Sequence, residues 1–300
     1  MTIATTGQIV LVMLLWAACF PLITVGIEFS PHLTFAALRA LLAGLILTAL
    51  ALAMRQPLPK DLRSWATLAG VGIGATSLGF IGMFHAAEFV SPGIATVIAS
   101  TQPLLAAVLA SIVLREKLRA RGRAGLALGF VGILVITSPQ LLAEGQGGYL
   151  LGITYITLAA LGITVSNVLI KHIAGSISAL MAMGLQMLIG SIPLIIGAWV
   201  AEEPVAIEWS LTFLGALLAL SVFGTALVYW MWFSILEKAP LNQANAFSFL
   251  IPIFGLTLGV LFYGEAFDWR QLAGIALAIF GVGLVAHHGT MPRVTEERSV

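Results

Sequence analysis

Apolar stretches of about 16 to 25 residues, separated by short charged or Pro/Gly-rich breaks, fill almost the whole 300-residue chain and constrain its fold more than any other feature. Ten can be read, at about 7–27, 33–53, 65–87, 93–114, 123–138, 149–171, 178–200, 210–235, 241–262 and 269–287. A helix crosses the ~30 Å hydrocarbon layer in ~20 residues, so ten spans and short connections use up the chain. Charged residues make up only 9% of it, against roughly 25% in soluble domains, too few to cover a soluble surface of this size. Barrel strands alternate polar and apolar positions over about ten residues, whereas these runs are apolar on every face. The expected fold is an all-α integral membrane protein with ten transmembrane helices. A net charge of +1 without a basic tail argues against a nucleic-acid surface, and the single Cys19 cannot form an internal disulfide or a multi-cysteine metal site. No basic residue or small-residue cleavage site marks the first run as a cleavable signal, so it is expected to stay as the first helix.

Lysine and arginine in short connections set orientation, because positive loops resist translocation. Twelve of the fourteen fall on the side of the amino terminus: Arg55, Lys60, Arg63, Arg115, Lys117, Arg119, Arg121, Arg123, Lys171, Lys238, Arg293 and Arg298. Arg270 lies on the opposite side and Arg39 inside the second span. Both termini are therefore expected in the cytoplasm. Every Asp and Glu maps to a loop or a helix end.

Sliding the chain along itself by about 148 residues superimposes its halves. Ser91-Pro92 falls on Ala239-Pro240, Pro103 on Pro252, Glu116 on Glu265, Gly125 on Gly274 and Gly132 on Gly281. The interval from mid-span proline to glutamate is 13 residues in both halves. Five helices per half is an odd number, so the second half enters the membrane from the opposite face as an inverted repeat. The expected units are residues 1–140, residues 146–288 and a cytoplasmic tail at 289–300.

The polar and aromatic residues inside the spans are the candidates for a binding site. In the ninth span Asn242, Asn245, Phe249 and Pro252 share one helical face. Asparagine is costly in lipid unless satisfied, so that face points either to interhelical packing or to a watery cavity. The fourth span repeats the pattern with Thr96, Ser100 and Pro103, with Gln102 beside the proline, which frees a carbonyl one turn upstream or simply kinks the helix. The eighth span aligns Ser221, Thr225, Tyr229 and Trp232, and the third offers Ser77, Ile81 and Phe84 at matching positions. Trp16, central in the first span, is expected to line a cavity, while Trp232 reads as an interface-belt residue. Thr157, Thr164, Asn167 and Lys171 share a face of the sixth span, with Lys171 expected to snorkel to the headgroups. Arg39 is expected to pair with Glu28 or Glu88, the alternative being contact with a substrate carboxylate. His85 is the histidine placed to titrate in a permeation path, although buried hydrogen bonding is the commoner role.

In the order of its motifs the chain resembles the drug/metabolite transporter superfamily, in its EamA-type ten-helix branch. The resemblance rests on LLWAACFPLIT from Leu14 to Thr24, Ser30-Pro31 followed by Leu38-Arg39, Ala95 to Pro103, Leu114 to Leu118 with Glu116, and GIALAIFGVGLVA from Gly274 to Ala286. It implies a permease that moves small metabolites, often outward, without nucleotide hydrolysis; bacterial amino-acid exporters, including the aromatic type, look most alike. The four-helix multidrug relatives carry a glutamate in the first helix, which Met13 to Ile23 lacks, so cationic drug antiport by that route is disfavoured.

The expected function is export of small metabolites, amino acids including aromatic or apolar ones, across the inner (plasma) membrane by alternating access around a central cavity. Trp16, Ser77, Phe84, His85, Ser100, Gln102, Thr164, Asn167, Thr225, Tyr229, Asn242, Asn245 and Phe249 are the expected cavity residues. The expected partners are a small-molecule substrate and the lipid bilayer, with no nucleic acid, no cofactor, no metal and nothing that demands more than a monomer. A membrane-embedded enzyme would need an ionisable constellation within one leaflet, and the chain offers one interior histidine and no interior acid. A channel would need rings of charged or carbonyl-exposing residues, for which no segment qualifies.

Overall fold

The computed structural model describes residues 2–86, 99, 101–116, 118–141, 149–202, 206–263 and 268–288. Among them the chain is helical between short connections, with an isolated bridge between Ala174 and Ile177. We label the helices α1 (Ile3–Ile27), α2 (His32–Ala53), α3, α4 (Gln102–Val113), α5 (Ala120–Leu141), α6 (Tyr149–Ile173), α7 (Ala179–Ala201), α8, α9 and α10 (Trp269–His288). Three are composite. Helix α3 joins Leu62–Val71, a π-helical segment Gly72–Leu78, and Gly79–Ala86; α8 joins Leu211–Ser221, a π-helical segment Val222–Leu227, and Val228–Lys238. Helix α9 joins Leu241–Ala246, a 3-10 turn Phe247–Phe249, and Leu250–Tyr263. Seven helices among the described residues (α1, α2, α3, α6, α7, α8 and α10) are long and apolar enough to cross a membrane by length and composition.

Local chemistry sets several starts. Asp61, Ser178 and Ser210 each accept a hydrogen bond from the backbone N–H three residues on, at Ser64, Met181 and Phe213, and so cap α3, α7 and α8. Asp61 accepts from both the N–H and the hydroxyl of Ser64, which holds its carboxyl below the ordinary value of 3.8. Helix α2 has Pro31 at its cap position and no cap of its own. Glu202, at the end of α7, supplies one: its carboxylate accepts from the N–H groups of Leu33 (2.6 Å) and Thr34 (2.8 Å) and from the Thr34 hydroxyl (2.8 Å).

The break in α9 follows from Pro252, which lacks the N–H that would bond the Ser248 carbonyl and whose ring crowds it. The ninth apolar stretch is therefore not one straight helix. In the fourth stretch Pro103 lies in the first turn of α4, where its missing N–H costs nothing, and residues 93–98 and 100 of that stretch lie outside the described residues.

Helices apolar on all faces gain little by turning one face inward, so contacts are set by shape, and glycine sets them here. Along the α5–α10 pair, a Cβ on Gly125 would stand 2.6 Å from the Gly281 carbonyl oxygen and one on Gly132 would stand 2.7 Å from that of Gly274. Helix α2 meets α7 where a Cβ on Gly184 would lie 2.4 Å from the Thr48 hydroxyl. Helix α3 meets α7 at Gly72 and Gly190, and α6 at Gly74 and Gly162. The glycine series of α5 thus finds its neighbour within the same chain. Helix α1 packs on α8 and α9, and α6 packs on α3 and α4.

Candidate functional site

Where α1, α6, α8 and α9 converge, aromatic rings and amides form one connected group. Trp16 lies with its ring centroid 6.2 Å from Tyr229, edge to face, and 5.4 Å from Trp232. The indole N–H of Trp232 donates to Asn167 Oδ1 at 2.9 Å, and Asn167 Nδ2 reaches Asn245 Oδ1 at 3.4 Å. Trp232 is 3% exposed, so it is a buried, hydrogen-bonded residue and not a belt residue; the belt position on this helix belongs to Trp230, which is 38% exposed. Residues 230 and 232 point to different sides because two steps along a helix turn a side chain by most of half a revolution.

One turn further along, Asn242 donates its backbone N–H to Glu116 Oε2 (3.4 Å) and its Nδ2 to the Glu116 carbonyl (3.2 Å). A buried glutamate from the α4–α5 connection thereby sits at the amino end of α9, where a carboxylate complements free N–H groups. Asn242 Oδ1 and Asn245 Nδ2 are buried with no partner among the described residues. A buried orphan acceptor and a buried orphan donor are costly unless something else meets them.

A second polar group forms at the π-helical segments, whose i to i+5 pattern rearranges the backbone carbonyls. Thr225 donates its hydroxyl to the Leu220 carbonyl (2.8 Å) and accepts from Arg39 Nε (2.8 Å). The Arg39 guanidinium also lies 4.7 Å above the Phe80 ring. The expected ion pair with Glu28 does not form, since Glu28 is exposed; Glu88 lies outside the described residues. In the other half Thr76 donates to Gln186 Oε1 (3.0 Å), Ser77 donates to the Gly190 carbonyl (2.8 Å) and Ser166 to the Val71 carbonyl (3.2 Å).

The remaining expected site residues are placed as follows. Thr164 is buried and bonds its own helix at the Ala160 carbonyl (2.6 Å), and Phe249 is buried with its ring against Gly129. Gln102 is half-buried at the start of α4. Phe84 and His85 fall in the last turns of α3 with side chains outside the described set, and Ser100 lies outside the described residues. The structure thus joins Trp16, Tyr229, Trp232, Asn167, Asn245 and Asn242 in one group and places Ser77 and Thr225 in another. Lys171 does not snorkel: its ammonium donates to the carbonyls of Leu236 and of Ala239 (2.7 Å for the latter), closing the end of α8. Orphan carbonyls at a helix end attract a nearby cation more strongly than distant headgroups do.

Reading the residues in order missed Gln186, Thr76 and Ser166, although Gln186 stands out as the one amide in the apolar run of α7. Among the described residues no group of His, Cys, Asp and Glu is arranged to hold a metal ion.

The EamA-like transporter family matches residues 6–138 and again 150–286. The chain is 32% identical over 259 residues to "WAT1-related protein At3g02690, chloroplastic" of Arabidopsis thaliana, a match that takes in 83% of this chain and 61% of that protein. It is 28% identical over 281 residues to the "Probable amino-acid metabolite efflux pump" of Salmonella typhimurium, with 91% of each chain covered. It is 27% identical over 280 residues to "Uncharacterized transporter YvbV" of Bacillus subtilis, covering 91% of this chain and 88% of the relative. A solved crystal structure shares the fold with a TM-score of 0.80 at 20% identity, covering 94% of this chain and 97% of the other. With its two matched segments and its apolar helices, the chain is a multi-pass membrane protein that belongs to the EamA-like transporter family.

Proposed function

We propose that this chain exports small metabolites, amino acids with aromatic or apolar side chains foremost, across the bacterial inner membrane by alternating access around a central cavity. The observation that carries the reading is the Trp16, Tyr229, Trp232, Asn167 and Asn245 group: three aromatic faces beside amides with unpartnered buried atoms, at the meeting of helices from both halves. Such a lining suits a zwitterion with a bulky side chain. The printed names of relatives from Salmonella typhimurium and Escherichia coli point the same way.

The carrier is ten spans in two inverted repeats, residues 1–140 and 146–288, with residues 289–300 as a cytoplasmic tail and both termini in the cytoplasm. The packing supports this. Exchanging the halves turns the α1–α8 contact into α6–α3 and the α1–α9 contact into α6–α4, and it returns α2–α7 and α5–α10 to themselves, all of which are contacts the structure makes. A pseudo-two-fold axis in the membrane plane produces that set of contacts.

The test is transport by the reconstituted protein across the twenty amino acids, with a cationic dye and a sugar as controls. Uptake of aromatic or apolar amino acids above both controls is expected; movement of the dye or sugar alone would overturn the substrate class. Every Asp and Glu is read from the sequence at a loop or helix end, so the carrier is proposed to run down its substrate gradient at rates that differ by less than about threefold between pH 6 and 8; a pronounced pH dependence would instead favour a proton carrier at His85, because a histidine of ordinary pKa titrates at ~6.5.

A further inference from the structure

We propose that Arg39 receives the carboxylate of the transported molecule, an inference that rests on the amino-acid carrier reading and narrows it to substrates bearing that group. Arg39 is the eighth residue of α2 and 5% exposed, about 10 Å along the helix from its outer end. A charge at such a position is expensive and is kept where it pairs or acts. Among the described residues it meets no carboxylate. Its partners are a neutral hydroxyl, Thr225 Oγ1 at 2.8 Å from Nε, and the face of Phe80 at 4.7 Å.

Those two contacts orient the guanidinium and leave an edge unused. Thr225 spends its own proton on the Leu220 carbonyl, so its oxygen turns a lone pair to Nε. Nε is then occupied and one face is covered, while the two terminal nitrogens present the fork that accepts a carboxylate through two parallel hydrogen bonds.

The other half of the chain shows that the charge is not there to pack helices. Gln186 is the eighth residue of α7 as Arg39 is of α2, and Thr76 is the fifteenth of the α3 rod as Thr225 is of α8. The two contacts correspond: Arg39 with Thr225, and Gln186 with Thr76 at 3.0 Å. A neutral amide makes the second contact, accepting from Thr76 and leaving its Nε2 buried without a partner among the described residues, so helix contact at this register does not require a charge. The guanidinium adds a cation at one pole of an otherwise repeated arrangement, and a zwitterionic substrate has one anionic end to place against it.

The experiment uses the reconstituted full-length protein with phenylalanine and leucine, each beside its carboxamide. It is run at pH 6, below the ~7.7–8.0 range in which α-amino groups titrate, so that acid and amide differ only in the carboxylate. Wild-type protein is expected to move each acid at least about tenfold faster than its amide at concentrations below KM. Arg39→Gln should slow the acids by about ten- to a hundredfold and leave the amides within about threefold, the change expected when a charge-assisted hydrogen bond is lost. Thr225→Val keeps the charge but frees its aim, and should raise KM for the acids several-fold more than it raises KM for the amides. Should Arg39→Gln fail to fold, Thr225→Val and Arg39→Lys decide, the latter keeping the charge and losing the fork. Acid over amide preference retained in these variants, or absent from wild type, overturns the assignment while the carrier reading stands. Failure of the wild type to move any amino acid overturns the carrier reading itself, and this inference with it.

Discussion

Replacing Asn167 with leucine isolates the interaction that ties the aromatic group to the amides. Asn167 accepts the Trp232 indole proton at 2.9 Å, and both residues are at most 4% exposed, so water does not take the place of the lost oxygen. Leucine keeps the branching of the side chain with somewhat more bulk and strands that N–H, at a cost of about 1–3 kcal/mol. The 3.4 Å contact from Asn167 to Asn245 is long and adds little. Trp232→Phe removes the other partner, strands the asparagine oxygen, and loses part of the ring contact with Trp16 at 5.4 Å. In the double variant neither group is stranded.

Hydrogen bonds between membrane helices have measured couplings of about 0.6 kcal/mol on average and up to about 1.7, because the unfolded chain in the bilayer finds partners too. A bond this short and buried belongs in the upper part of that range, so the double variant should be about 1 to 1.7 kcal/mol more stable than the two losses summed. The assay is reversible unfolding in one fixed lipid–detergent mixture, followed by helical circular dichroism because tryptophan fluorescence changes with the variant. Losses that add within about 0.3–0.5 kcal/mol would mean that the two side chains are independent and that the group is not connected as described.

Glu202→Gln should lower stability by about 1–3 kcal/mol in the same assay, since a charged acceptor leaves the free N–H groups of α2; the exposed Glu208→Gln serves as the near-silent comparison. Gly132→Ala should destabilise by about 1–3 kcal/mol or block folding, because its Cβ meets backbone at 2.7 Å, whereas Gly283→Ala, with nothing within 4 Å, should be tolerated. The Asp61 carboxyl titrates lower when folded, so its cap is fully present above the ordinary value of 3.8 and is lost as pH falls through the lowered one. Wild type should therefore lose stability below about pH 4 more steeply than Asp61→Asn, as read from unfolding curves at stepped pH.

What could be read from the residues alone was whatever depends on a short window. The apolar runs mark helices because twenty apolar residues in a row have no other economical home. What could not be read depends on a partner more than sixty residues away or on a departure from regular helix. Lys171 looked free because the helix end it closes is 65 residues away, and Trp232 looked like a belt because its depth was judged without Asn167 beside it. The π-helical segments leave no mark in composition. Ser77 and Thr225 lie within them and donate to the carbonyls of Gly190 and Leu220, each at 2.8 Å, and those hydroxyls were visible only as polar residues on a stripe.

The two halves repeat one plan, and the places where they depart from it locate the chemistry. At the α3–α7 contact, Gly72 and Gly190 let backbones touch, a Cβ on Gly190 falling 2.5 Å from the Gly72 carbonyl. The corresponding registers of α8 and α2 hold Ser221 and Ala43, the eleventh and twelfth residues of their helices. Side chains therefore stand where the other half has only hydrogen, and backbones cannot close to the same distance. The Ser221 hydroxyl is buried there without a partner among the described residues. Arg39 lies between the same two helices, with Phe80 over its face. Each interface buries a polar atom without a partner among the described residues, Gln186 Nε2 in one and the Ser221 hydroxyl in the other, and what sets them apart is the glycine contact in the first and the cation in the second. An arginine between α2 and α8 where α7 presents an amide to α3 gives the chain one cationic pole, and a second arginine at position 186 would add a like charge in a medium of low dielectric.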